Sequence, residues 1–145
     1  MRLRPHHLLD IITQYGASAP FAPHPYGHAV HTVAEAVLAD PDVAIEFVVG
    51  ADDICAPCKN LIEGHCEDVL SQLDPPISKQ EYNDGLDRRV LAYLGMTEGS
   101  VLTFREFLQV VREHLAGIEW VCTHPKEDPA ERLARLTRGL EKLGA

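Results

Sequence analysis

Apolar residues recur at helical spacing in several stretches of this chain, and most of these stretches carry their own start and stop signals. Pro5 suits the first helical position, where a missing N–H costs nothing. Leu8, Ile11, Ile12 and Tyr15 then share a face until Gly16 stops the run. A loop rich in alanine and proline, Ala17 to Tyr26, leads to a second predicted helix from about His28 to Leu38. That helix would bury Val30, Val33, Ala34, Val37 and Leu38 before the turn at Asp40-Pro41-Asp42.

Val43 to Val49 has a different character. It is β-branched and apolar, with Gly50 as its stop, and it is the one convincing strand; Met1 to Arg4 is the segment available to pair with it. A short helix from about Cys66 to Leu73 and a turn at Asp74-Pro75-Pro76 follow. Ser78 with Glu81, and again Thr103 with Glu106, form capping boxes in which a hydroxyl and a carboxylate each satisfy an orphan backbone N–H. The first opens a helix carrying Tyr82, Leu86, Val90 and Leu94 and ending near Gly95. The second opens one carrying Phe104, Phe107, Leu108, Val111 and Leu115 and ending at Gly117. Asp128-Pro129 then caps a last helix with Leu133, Leu136, Leu140 and Leu143 on one face. The expectation is a mainly α fold: a compact helical domain of about five or six helices. At most a small two-stranded sheet would lie beside the cysteine loop. Residues 1–145 are read as a single domain.

Composition narrows the functional classes. Hydrophobic content of 46% and charged content of 24% are ordinary for a globular protein. No apolar run approaches the roughly 20 residues that span a bilayer, and the start of the chain is too interrupted for a signal peptide. The expected location is cytoplasmic. A net charge of −9 with scattered basic residues argues against nucleic acid and against an anionic membrane surface. A redox partner protein or a small molecule is left, and oligomeric state is not readable.

Four cysteines then carry the chemistry. Cys55 and Cys58 form a C-x-x-C turn, Cys66 follows after Gly64, and Cys122 lies far away beside Trp120 and His124. In a reducing compartment clustered thiols point to metal or redox chemistry. Four soft thiolates suit Zn²⁺ or an iron–sulfur cluster. Zinc ribbons pair two C-x-x-C knuckles, whereas this three-plus-one distribution is closer to a [4Fe–4S] site with Cys55, Cys58, Cys66 and Cys122 as ligands. Ile54, Ile118, Trp120 and Val121 are expected to give it apolar cover. A structural Zn²⁺ site with the same four cysteines is an alternative. So is a thiol–disulfide oxidoreductase built on Cys55-Ala56-Pro57-Cys58, although Gly64 breaks the helix such a motif needs and Asp52 and Asp53 repel a thiolate. Four idle buried cysteines fit the clustering least well.

Five of the eight histidines fall in the first 31 residues. His6 and His7 sit in the first turn of the first helix, where the dipole disfavours imidazolium and a neutral ring can ligate, donate or act as base; a capping or packing role explains them equally well. His28, His31 and Glu35 share one helical face, which a solvated polar face accounts for better than a metal site. His65 and His124 flank cysteines and could replace one as ligand or tune a sulfur.

Arg4-Pro5-His6-His7-Leu8-Leu9 and Asp52-Asp53-Ile54-Cys55-Ala56-Pro57-Cys58, taken together, resemble a family of small bacterial and archaeal proteins known as domain of unknown function twelve eighty-four. The resemblance implies iron–sulfur binding through the cysteines and no assigned activity. The chain departs from the family pattern at Asp10, where many relatives have cysteine, and around Trp120 to Pro125, where many have a further C-x-x-C-x-W. Fewer thiols imply one four-cysteine cluster rather than two. The resemblance also implies a role for His6 and His7 beside Asp52 and Asp53, the candidate catalytic set. A [4Fe–4S] protein of electron transfer or redox sensing is therefore the expectation. A small metalloenzyme with an open iron next to His6 and His7 is kept open if Cys122 is not the fourth ligand.

Overall fold

The computed structural model describes residues 1–145. Strand β1 is Arg2–Leu3, and helix α1 follows at once as Pro5–Gly16, with the boundaries that its proline and glycine predict. Helix α2 spans Val30–Ala39 and buries Val33, Ala34 and Val37, while Val30 and Leu38 stay half-buried. His28 lies before this helix, so His28, His31 and Glu35 do not form one helical face. Strand β2, Ala44–Phe47, pairs in parallel with β1 through Arg2 opposite Glu46 and Leu3 opposite Phe47.

Between residues 61 and 78 the chain makes two small hairpins where a helix from Cys66 to Leu73 is expected. Strands β3 (Leu61–Ile62) and β4 (His65–Cys66) pair across Glu63 and Gly64. These two residues hold φ of 50° and 79°. Two successive positive φ values give the turn whose twist matches a hairpin, so the chain reverses and Cys66 is set opposite Leu61. Strands β5 (Val69–Leu70) and β6 (Ile77–Ser78) form the second hairpin.

Helix α3, Lys79–Tyr93, starts with the Ser78 hydroxyl accepting the Glu81 N–H. A third strand, β7 (Val101–Thr103), runs antiparallel to β2 and completes a three-stranded sheet. Helix α4, Phe104–Glu113, begins with the reciprocal Thr103–Glu106 capping box and buries Phe104, Phe107, Leu108 and Val111. It stacks on the sheet through Phe107 and Phe47, whose ring centroids lie 4.9 Å apart. A 3₁₀ turn at Ile118–Trp120 leads to α5, Pro129–Lys142, capped by Asp128. The fold is mainly α, with small sheets, as the periodicity predicts.

Helices α1 and α5 lie directly against each other, and two glycines set that distance. A Cβ on Gly16 would collide with the carbonyl oxygen of Arg135, and one on Gly139 with that of Ile12. Leu8, Ile11 and Ile12 of α1 join Leu136 and Leu140 of α5, Ile45 and Phe47 of β2 and the apolar faces of α3 and α4 in a continuous core of 23 buried residues. No helix is long and apolar enough to cross a membrane.

Candidate functional site

The start of α1 is the floor of the site, and its backbone explains the position of two acids. Arg4 occupies the cap position and offers no side-chain acceptor to the first turn. Two carboxylates from elsewhere satisfy the orphan N–H groups instead. Asp52, placed just after β2, accepts the Arg4 N–H at 2.8 Å; Asp87 of α3 accepts the His6 N–H at 3.0 Å.

Each acid also holds an imidazole. Asp52 Oδ2 lies 2.7 Å from His7 Nδ1, and Asp87 Oδ1 lies 2.8 Å from His6 Nδ1. The other oxygen of Asp52 accepts the N–H groups of Ile54 and Cys55 at 3.1 and 3.0 Å. Asp87 Oδ2 accepts Arg4 Nη1 at 2.8 Å, and Arg4 Nη2 reaches Asp84 at 2.9 Å. Fixing Nδ1 of both rings leaves each Nε2 without a protein partner, the state in which an imidazole can ligate a metal or exchange a proton. The two rings lie 4.3 Å apart.

The electrostatics follow from burial and pairing. Burial alone would push the Asp52 carboxyl up, but the charge of His7 and the hydrogen bonds it accepts hold it well below the usual carboxylate range. Asp87 behaves alike: His6 and Arg4 outweigh its burial and keep it depressed. Burial lowers His7, and the charge and hydrogen bond of Asp52 more than offset this, so its pKa is raised above the ordinary imidazole value. The Cys55 thiol is pushed up to about 12 by burial and by the charge of Asp52. That is the reverse of what an attacking thiolate in a C-x-P-C oxidoreductase needs.

Beside these dyads lies a cavity of about 300 Å³ whose walls include all four cysteines, together with His6, His7, Asp10 and Arg132. Cys55 and Cys58 come from the loop after β2, Cys66 from β4, and Cys122 from the turn after Trp120. Cys122 is buried, and burial with the charge of Asp10 pushes its thiol up to about 12, although Arg132 Nη2 stands 3.8 Å from the sulfur. Arg132 is itself anchored, by Asp10 at 2.9 Å and Glu127 at 2.7 Å. His124 also lines the cavity, whereas His65 is outside it and more than half exposed.

The donor atoms of His7, Asp52 and Cys55 all lie within 4.8 Å of one another, a group that includes one of the four cysteines. The three-residue group is a hydrogen-bonded unit first, since the oxygens of Asp52 are already taken by three backbone N–H groups and His7.

Of the residues singled out by sequence, His6, His7 and the four cysteines border the cavity, and Asp52 stands directly behind His7. Asp53 does not border it; its carboxylate accepts the Arg2 N–H at 2.8 Å at the exposed edge of the sheet. Ile54 and Ile118 are buried as expected, but Trp120 is 72% exposed and does not border the cavity. Arg4, Asp87 and Arg132 were not identifiable as site residues from spacing. The signal available for Asp87 is an acid among Leu86, Val90 and Leu91 on a buried helix face.

The chain matches the family described as "Protein of unknown function (DUF1284)" over residues 24–126 and belongs to it. The matched span contains Asp52 and all four cysteines, and the Arg4 to Leu9 string precedes it. No curated protein and no solved structure matches the chain.

Proposed function

We propose that this is a cytoplasmic iron–sulfur protein, a single domain in which Cys55, Cys58, Cys66 and Cys122 ligate a [4Fe–4S] cluster for electron transfer or redox sensing. The observation that carries the reading is the convergence of all four cysteines, spread over 68 positions of sequence (122 − 55 + 1), on the walls of one cavity.

The size of the space favours a cluster over a single zinc ion. The cavity of about 300 Å³ is far larger than one ion requires. The raised Cys55 and Cys122 thiols are not an obstacle, because iron displaces the proton when it binds. When bound, such a cluster supplies one-electron redox chemistry. The protein's own contribution is to fix Cys55 through Asp52 and to set Arg132 beside Cys122.

A second reading has its own support in the free Nε2 atoms of His6 and His7 at the same cavity. If Cys122 leaves one iron open, the pair could serve a small-molecule substrate, making the protein a small metalloenzyme. Protein purified without oxygen tests the first reading. It should be brown, with broad absorbance near about 400 nm that bleaches on reduction. A colourless protein holding about one zinc would replace it with the structural Zn²⁺ site.

A further inference from the structure

The segment joining Cys55 to α3 differs from the rest of the molecule in what holds it. None of residues 55–79 is buried, and none belongs to the 23-residue core or packs against it. Ile62 and Val69 are more than half exposed. The strap formed by residues 57–78 contains two hairpins of two-residue strands, too short to be stable alone. A few polar contacts tie its middle to the body: the Lys59 N–H to the Tyr26 carbonyl at 2.7 Å, the Cys66 N–H to the Gln80 side chain at 3.0 Å, and Lys79 of α3 to Asp68 through its N–H at 3.0 Å and its ammonium at 3.4 Å. Yet this strap forms one wall of the cavity, through Cys58, Leu61, Cys66 and Leu70.

The four cysteines are therefore divided between two bodies. Cys55 is pinned by Asp52, and Cys122 is buried in the core beside Arg132. Cys58 and Cys66 ride on the strap. A group bound by all four would bridge strap to body and stand in for the apolar core that the strap lacks. Metal sites in small motifs work this way, because ligand binding free energy becomes folding free energy for the segment that holds the ligands.

We infer that the group held by the cysteines is the clasp of the strap, so that its loss releases residues 57–78 and opens the cavity while the helical body stays folded. The inference rests on the proposed four-cysteine site and gives it a consequence: the strap reports whether the site is filled. Loss of the bound group would change the surface of the protein without unfolding it. That is the output a sensor needs.

Hydrogen exchange measured by mass spectrometry tests this on the full chain. Three states are compared: reduced and chelated, reconstituted with ferrous iron and sulfide, and loaded with zinc alone. In the metal-free chain, amides of residues 57–78 should exchange near the rate of an unfolded peptide, while α1, α4 and α5 remain protected. Loading should slow the strap amides by at least about tenfold, and by about 100-fold for zinc at about 100 times its Kd. A Cys58→Ser, Cys66→Ser variant should keep its protected helices and lose the slowing.

Strap amides as protected as the helices in the metal-free chain would overturn the inference. So would a chain that holds its iron with strap exchange unchanged, an outcome that leaves the iron–sulfur reading standing. A chain that takes up neither iron nor zinc removes both.

Discussion

The buried carboxylate of Asp87 joins α3 to the start of α1, and its replacement offers a sharp test of how the site floor is built. Asp87 is fully buried and accepts hydrogen bonds from Arg4 Nη1, the His6 N–H and the His6 ring. An Asp87→Leu variant replaces the carboxylate by a larger apolar side chain and leaves the Arg4 charge and the His6 N–H behind. Breaking a buried ion pair by removing one partner costs about 3–5 kcal/mol. Arg4 retains Asp84 at 2.9 Å, which places the expected loss at the lower end, about 3 kcal/mol. With a urea m-value of about 2 kcal/mol/M, the midpoint followed by far-UV circular dichroism should fall by about 1.5 M.

The loss should be coupled to Arg4. In a cycle with Arg4→Met, the double variant should be more stable than the sum of the single losses by about 2 kcal/mol, because no buried charge is then left unpaired. The pH dependence has a definite sign. His6 and Arg4 depress the folded-state value of Asp87 against its burial. Its contribution is therefore complete above the ordinary carboxyl value of about 3.9 and is lost as pH falls through the depressed value. The stability gap between wild type and Asp87→Leu should narrow on acidification through that range. A loss below about 1 kcal/mol, additive single variants, or a gap that widens with acid would refute the reasoning.

Three other substitutions probe the frame and the site. Gly139→Ala gains helix propensity but drives a Cβ into the Ile12 carbonyl, so a net loss of about 1–3 kcal/mol is expected in the same urea experiment. Thr103→Ala removes the α4 capping box and should cost about 1 kcal/mol in thermal or urea unfolding. Arg132→Met removes the cation 3.8 Å from the Cys122 sulfur. If the cysteines hold a cluster, voltammetry should find a more negative reduction potential, by on the order of tens of millivolts. Arg132→Lys should recover part of that shift, and an unchanged potential in the Met variant would remove Arg132 from the electronic account.

The helical frame was legible because its signals are local. Pro5 and Gly16 bound α1, Thr103 with Glu106 starts α4, and Asp128-Pro129 starts α5. The pairing of the N-terminus with β2 was also foreseeable, since one strand needs a partner, but its parallel direction was not. The strand β7 was not, because Val101–Thr103 is short, its Val101 is exposed, and only β2 makes it a strand. Residues 66–73 read as a helix by composition, but the paired positive φ angles at Glu63 and Gly64 commit them to hairpins. Trp120 was expected to give the cysteine site apolar cover, yet the turn after Gly117 leaves it exposed to solvent.

Within the site, the two quoted strings suggested an imidazole of His6 or His7 held by Asp52 or Asp53; the structure pairs His7 with Asp52, gives His6 to Asp87, and sets the four cysteines around the same cavity. Asp87, Arg4 and Arg132 depend on contacts across 83 residues between Arg4 and Asp87 and 122 residues between Asp10 and Arg132. No periodicity records such contacts. Asp53 stood next to Asp52 in sequence and parted from it in space because the chain turns there, with the Asp52 carboxylate capping Ile54 and Cys55 while that of Asp53 meets the Arg2 N–H.

The central claim is that four cysteines on two bodies hold one iron–sulfur cluster. Its most direct measurement is iron and acid-labile sulfide per chain in anaerobically purified wild type and in Cys122→Ser. About four irons and four sulfides in the wild type, with a marked loss in the variant, is the predicted result. Wild-type protein that carries no iron, or iron content indifferent to Cys122, would contradict it.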